Sequence, residues 1–434
     1  MRINAGLVGF GVIGTGIVTL LQRHAKLIKR RSGVEIVLRR IADIDIDRDR
    51  GVEIDRSLLT TDYRDVLRDS EIDIVIELVG GTKVAKDVVV GALNAGKHVV
   101  TANKALLHAY KTELFALAVE KQRELRYEAS VAGGIPIIKI ITESLAGDRV
   151  RSIHGIVNGT TNFILTKMIE EQWSFADALT RAQELGFAEA DPTLDVNGGD
   201  ATHKLDVLAG VAFNAPVESA QIYTEGIEAL DLRDVLYAKE LGYVTKLLAI
   251  AKQADDRMSL RVHPTLIPER CSLASVSNEF NAVMLQSDFL GDSLYVGRGA
   301  GAHPTASAVV SDIADLALAI AGKAEFNPQC YLPFNKYTTA SYLDDESRFY
   351  LRLGTIERPG ILALITKILG DHEISISAII QKEVSPEAPG QTIPIVILTR
   401  MARERNLRAA VAEIDKLDVT AGNTVILHIE DLEL

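Results

Sequence analysis

Residues 3–14 read Ile3-Asn4-Ala5-Gly6-Leu7-Val8-Gly9-Phe10-Gly11-Val12-Ile13-Gly14. Residues 3–8 form an apolar run of strand length. Beyond Gly14, Ile17, Leu20 and Leu21 recur at helical spacing. Strand, glycine turn, helix is the context in which G-x-G-x-x-G signals dinucleotide binding. Gly9 permits the tight turn, Gly11 lets the backbone approach a pyrophosphate, and Gly14 lets the helix pack on the strand. Phe10, Val12 and Ile13 fill the variable positions, so the candidate cofactor turn runs from Gly9 through Gly14. The helix N-terminus adds free N–H groups and a partial positive charge for the phosphates. The apolar run 6–21 after Arg2 superficially resembles a signal peptide. The glycine spacing accounts for it better, and no small-residue cleavage site follows.

Outward from this turn, more α/β units follow. A strand at 34–42 ends in Asp43, placed to accept hydrogen bonds from an adenosine ribose. Asp43, with Ile44 after it, would repel a 2′-phosphate and favours NAD. Arg39, Arg40 and Arg48 are near enough in sequence to reverse that, so the choice between NAD and NADP stays open. A strand at 72–79 ends at Gly80-Gly81. A helix at 85–95 is closed by Gly96. A strand at 98–101 leads through Ala102-Asn103-Lys104 into another helix. Strands alternating with helices indicate a parallel, doubly wound sheet of Rossmann type, whose ligands bind beyond the strand C-termini. Thr101, Asn103 and Lys104 sit at such an end. A cation at a helix N-terminus is electrostatically disfavoured, so Lys104 needs a reason to be there.

Later segments imply further domains, as 434 residues allow. The dinucleotide-binding domain is expected over 1–135. It is completed by a helix at about 301–325 that follows the glycine-rich turn 297–305 and carries Val309, Ile313 and Leu316. An α+β domain is expected over 136–300, with strands at 150–158, 260–267, 282–289 and 292–296 and a helical stretch at 234–253. Its exposed sheet suits dimers or tetramers. A polar linker, 326–346, precedes a self-contained βαββαβ unit at 347–434, a ferredoxin-like order. The turn 128–136 exposes several backbone carbonyls and reads as a structural turn or a cation site. The net charge of −12 argues against nucleic acid and anionic membrane partners. Two cysteines, Cys271 and Cys330, without metal-ligand spacing, fit a reducing cytoplasm. No other run is long and apolar enough to suggest a membrane span.

Residues 182–204 hold five acids (Glu184, Glu189, Asp191, Asp195, Asp200) and Lys204 around Pro192 and the Gly198-Gly199 pair. Asp200 and Lys204 are four apart at the start of an apolar helical pattern, so they share one helix face. For a lone pair, a weak surface ion pair would be an adequate account.

The whole pattern resembles the homoserine dehydrogenase signature at Ala182, Gly186, Phe187, Asp191, Pro192, Asp195, Gly198, Asp200 and Lys204. The blocks 99–104 and 155–162 are similar to that family's other characteristic blocks. The 347–434 unit resembles an ACT domain, a small amino-acid-binding regulatory module. The resemblance implies a reversible, NAD(P)H-dependent reduction of L-aspartate 4-semialdehyde to L-homoserine, in threonine, isoleucine and methionine biosynthesis. It implies that Glu189 binds the substrate ammonium and that Asp195 assists in substrate binding. Asp200 and Lys204 would act at the reacting oxygen, with Lys104 between nicotinamide and substrate. Thr101 and Gly301 would touch the cofactor. Carbonyls around Glu128, Val131, Gly133 and Ile135 resemble the family's sodium turn. At the ACT-like unit it implies either an effector, L-threonine, or a structural role. In that unit Arg358 stands where an acid often precedes the proline. Asp191 is left as a cap for the turn at Pro192. Two other readings compete. One is an amino acid dehydrogenase acting at carbon–nitrogen bonds, and the other is an amino-acid sensor on a dinucleotide fold.

Overall fold

The computed structural model describes residues 1–324, 335–356, 358–381 and 392–432. Cys330, Glu357 and most of the first half of the expected linker lie outside the described residues. The chain divides into two compact units. One comprises Met1–Gly159, Asp200–Ser219 and Glu279–Tyr337, and the other Thr160–Gly199, Ala220–Asn278 and Thr338–Leu434. This division cuts through the expected 136–300 domain and through the 182–204 stretch, whose loop and helix halves fall in different units.

The first unit is built on a six-stranded parallel sheet. Its strands are β1 (Arg2–Val8), β2 (Glu35–Ala42), β3 (Leu59–Thr60), β4 (Ile74–Glu77), β5 (His98–Thr101) and β6 (Leu125–Arg126), in the order β3-β2-β1-β4-β5-β6. This doubly wound order reverses direction between β1 and β4, which opens a crevice at their C-terminal ends. Helix α1 (Val12–Ser32) leaves the glycine turn, and Gly33, in a left-handed conformation, ends it. The helix Ala302–Ala321 packs along α1 and shares its core: Val309, Ile313 and Leu316 join Ile17, Ile3 and Leu7 with no exposed surface or nearly none. The two helices cross at Gly16, where a Cβ would sit 2.9 Å from Ala302 O. This helix is the one described helix long and apolar enough to cross a membrane, yet half of it is buried in this core. Antiparallel pairing joins β7 (Val150–Ile156), Phe280–Ser287 and Gly291–Arg298.

In the second unit the βαββαβ order is present: strand Glu346–Thr355, helix Ile361–Asp371, strands Ile376–Gln381 and Ile393–Thr399, helix Glu404–Ile414, strand Val425–Ile429. All three pairings within this sheet are antiparallel. Both helices cover one face through Leu351, Leu353, Ile365, Ile397, Leu407 and Ile414. The unit is not self-contained as expected. Val425–Ile429 also pairs, in parallel, with strand Arg257–Pro268, so the sheet runs on into the preceding segment. Buried Asp234 reinforces the join, accepting from Tyr350 Oη at 2.9 Å and Arg352 Nη2 at 2.8 Å. Part of the expected linker is ordered as well, since Thr338–Thr339 pairs with Arg257 and Met258.

The expected helix over 234–253 is corrected by the structure. The helix Leu232–Glu240 stops at Gly242 (φ +81°), and Tyr243–Ala254 is a strand paired along twelve residues with Arg257–Pro268. Residues 245–251 are buried on both faces, so neither period 2 nor period 3.6 is visible in the sequence.

Candidate active site

The glycine turn is shaped as its spacing requires. Gly9 has φ +99°, its N–H donates to Ala42 O at 2.9 Å, and a Cβ there would lie 2.5 Å from Leu78 O. A Cβ on Gly14 would lie 2.5 Å from Gly9 O. Around the Cβ position of Gly11 no atom lies within 4 Å, which leaves open the side from which a phosphate approaches the N-terminus of α1. Gly301 opens the Ala302–Ala321 helix at φ +118°. The crossing at Gly16 brings that helix's first turn to the same end of α1.

Asp43 stands beside the turn. Its Oδ2 accepts from Phe10 N at 2.6 Å and its Oδ1 from Asp45 N at 2.9 Å. The basic partner there is Arg50, a residue that no local spacing marks. Arg50 donates to Phe10 O and to Asp45 O, each at 2.5 Å, and lies 4.6 Å from the centre of the Phe10 ring. Arg39 and Arg40 are committed to Asp69, and Arg39 also to Glu71. Strand geometry accounts for the difference. Arg39 and Arg40 lie within β2, whereas Arg50 follows a loop that folds back over the glycine turn.

At the C-terminal ends of β4 and β5, buried Glu77 accepts from Val79 N at 2.7 Å and from Thr101 Oγ1 at 2.6 Å. Asn103 N donates to Thr101 Oγ1 at 3.0 Å, and Asn103 Nδ2 donates to Val79 O and Gly81 O. Asn103 Oδ1 caps helix α2 (Lys104–Lys121) by accepting from Leu106 N. Burial pushes the Glu77 carboxyl up to about 7, against the hydrogen bonds it accepts.

Lys104 has its reason: its Nζ lies 2.6 Å from Asp200 Oδ1. Asp200 begins the helix Gly199–Phe213, and its Oδ2 also accepts from Lys204 Nζ at 2.7 Å and from Asn158 Nδ2 at 2.8 Å. Lys204 Nζ donates as well to Val157 O at 2.6 Å, at the end of β7. Burial alone would raise the Asp200 carboxyl. The two ammonium groups outweigh it and hold the carboxyl far below the ordinary carboxylate range. The i, i+4 pair is therefore a buried, doubly charged clamp and not a surface ion pair. Asn158 lay inside a block the sequence singled out, but nothing in its spacing marked the Asp200 contact.

Farther along the same two helices, His108 and His203 pack against each other as a tilted pair, with ring centroids 3.9 Å apart and 35° between the ring planes. Fully buried Asp206 accepts from Lys111 and faces His108 Nδ1 at 3.1 Å.

Glu189 and Asp195 fall in the second unit. Glu189 is exposed on the loop after helix Phe175–Glu184, and Asp195 lies in the short helix Thr193–Val196. Asp191 Oδ1 accepts from Thr193 N at 3.1 Å, the capping bond expected of it. In the turn 128–136, the Glu128 carboxylate accepts from Ile138 N at 2.9 Å and Lys139 N at 2.8 Å. Its amide donates to buried Asp312 at 2.9 Å. Burial raises Glu128 to about 7 and Asp312 to about 6. Among the described residues no cluster of three or more His, Cys, Asp or Glu has metal-ligand spacing, so a cation at this turn would rest on carbonyls.

A doubly wound sheet with a phosphate-ready glycine turn, and a lysine–aspartate–lysine clamp in its unit, defines a nicotinamide-dependent oxidoreductase. Comparison with known proteins gives the family. The profile "Homoserine dehydrogenase, NAD binding domain" matches residues 9–128, and "Homoserine dehydrogenase" matches 136–314. The homoserine dehydrogenases of Neisseria gonorrhoeae and Pseudomonas aeruginosa are 42% and 41% identical, each over 99% of both chains. The crystal structure of a homoserine dehydrogenase from Thiobacillus denitrificans superposes with a TM-score of 0.92 at 44% identity, over 99% of both chains. A hyperthermophilic archaeal homoserine dehydrogenase solved in complex with NADPH matches 73% of this chain and 98% of its own, with a TM-score of 0.60 at 27% identity. The chain belongs to the homoserine dehydrogenase family.

Proposed function

We propose that this chain interconverts L-aspartate 4-semialdehyde and L-homoserine with NAD(P)(H). The observation that carries the assignment of the chemistry is the buried carboxylate of Asp200 held between Lys104 and Lys204. When bound, the reduced nicotinamide supplies a hydride to the aldehyde carbon. Negative charge then develops on the carbonyl oxygen, and the Lys204 ammonium stabilises it and donates the proton. In the reverse direction Lys204 accepts the hydroxyl proton. Asp200 orients Lys204 and keeps Lys104 beside it. Glu189 pairs with the substrate ammonium and Asp195 assists. Gly9 to Gly14, Asp43, Thr101 and Gly301 hold the cofactor.

Arg50, already gathered at the adenosine end of the turn, favours NADP over NAD, because a guanidinium binds a 2′-phosphate that Asp43 alone would repel. A sodium ion would sit on the Glu128, Val131, Gly133 and Ile135 carbonyls, since the Glu128 carboxylate is already engaged by two amides. The βαββαβ unit serves as an ACT-type module for an amino-acid effector such as L-threonine, and the enzyme is a cytoplasmic homodimer or homotetramer. The test is homoserine oxidation with NAD and NADP in parallel, with and without threonine. The absence of homoserine-dependent NAD(P)H formation would refute the assignment.

A further inference from the structure

The proton-transfer scheme uses Asp200, Lys204 and Lys104 but leaves Glu77 without a role. Glu77 has no exposed surface, yet it carries an ionisable group at the crevice end of β4. A buried carboxyl that merely filled space would be replaced by an apolar side chain at no cost in hydrogen bonds. This one is the origin of a continuous chain. Its Oε2 accepts from Thr101 Oγ1, and Thr101 Oγ1 accepts from Asn103 N. Asn103 ties the loop down to Val79 O and Gly81 O and caps α2 with its Oδ1. The next residue is Lys104, whose ammonium reaches Asp200.

The geometry points to Glu77 as a positioning residue for Lys104, one that fixes the 101–104 loop and so sets the reach of Lys104 to Asp200. This rests on the homoserine dehydrogenase reading above. Glu77 touches no reacting atom and acts only through Thr101 and Asn103. The groups acting on it are neutral: the Thr101 hydroxyl, the Val79 amide and the Asn103 side chain. Without a cation beside it, the carboxyl loses its proton only near neutrality. As a carboxylate it accepts from Thr101 and Val79 with charge assistance, which tightens the loop. As the neutral acid it must place its own proton where one of those donors points, and the loop loosens. The tight state therefore belongs to the upper side of that titration.

The test compares Glu77→Gln with the wild type, reading kcat/KM for homoserine from pH 6 to 9, the KM for homoserine, and the Kd of NADP measured directly. The expected result is a fall in kcat/KM of roughly 10- to 100-fold, as for a small misplacement of a reacting group. The Kd of NADP should stay within about twofold, and the inflection near neutrality in the wild-type profile should disappear. Should Glu77→Gln not fold, Thr101→Val cuts the same chain while Thr101→Ser, which retains the hydroxyl, keeps it. Because Thr101 also lies at the cofactor, both are read at saturating NADP, and valine is expected to lose the inflection near neutrality that serine keeps. Wild-type kcat/KM and an unchanged pH profile in Glu77→Gln, or the same pH profile in the valine and serine variants, would overturn the proposal. A wild-type chain inactive on homoserine would instead overturn the reading beneath it.

Discussion

Replacing Asp200 with Asn keeps the shape of the clamp and removes its charge. Asp200 and Lys204 are both buried, with 3% and 9% of their surface exposed. At the observed 2.7 Å the gross attraction between unit charges is about 6 kcal/mol at an effective dielectric of 20. Desolvation offsets part of this, and breaking one partner of a buried pair typically costs about 3–5 kcal/mol. The Lys104 side chain is 36% exposed, so its share is largely screened and adds little. The Asn variant is therefore expected to lose about 3 kcal/mol of unfolding free energy, read by urea denaturation. Homoserine oxidation should fall roughly 10²- to 10⁴-fold in kcat/KM as the proton-transfer residue loses its orientation. A cycle with Lys204→Met separates pair from site. If the two charges act as a pair, the double variant should be less destabilised than the sum of the singles, since removing both charges leaves neither one orphaned. Additive losses, or an Asn variant within about 1 kcal/mol of wild type with near-normal turnover, would refute the clamp.

Gly11→Ala is expected to raise the KM for the dinucleotide more than tenfold with little change in melting temperature, because the Cβ enters open space meant for a ligand. Gly9→Ala should instead lower the melting temperature, since it meets Leu78 O at a strained φ. Arg50→Ala should lower kcat/KM with NADP far more than with NAD; an equal loss with both would show that the arginine serves only the loop. Glu128 and Asp312, raised to about 7 and about 6, stay protonated in the folded state where the unfolded chain has released the proton. Their contribution is thus fully present below about pH 4 and is lost as pH rises through 6 and 7. Denaturation midpoints across that range should flatten in Glu128→Gln.

The sheet, the glycine turn and Asp200–Lys204 were legible in the sequence because each rests on local spacing: strand–turn–helix in one case, an i, i+4 step in the other. Contacts that depend on loop paths were not. Arg50 reaches Phe10 from forty residues away, and Asn158 reaches Asp200 across another forty-two. Glu77 read as one more residue in an apolar strand, since nothing in a sequence reveals that a strand-end acid points inward. The strand Tyr243–Ala254 was misread because burial on both faces erases the alternation that marks a strand. The βαββαβ order was visible, but its attachment to Arg257–Pro268 depends on a pairing between segments about 160 residues apart.

The crossing at Gly16 has a consequence for how the protein is made. Gly16 and Ala302 are roughly three hundred residues apart in sequence, yet they are in contact. The ribosome therefore releases the glycine turn long before the helix that seals its core exists. Until Ala302–Ala321 emerges, the apolar face of α1 has to wait uncovered, which makes this stretch of the nascent chain a place for a chaperone to act.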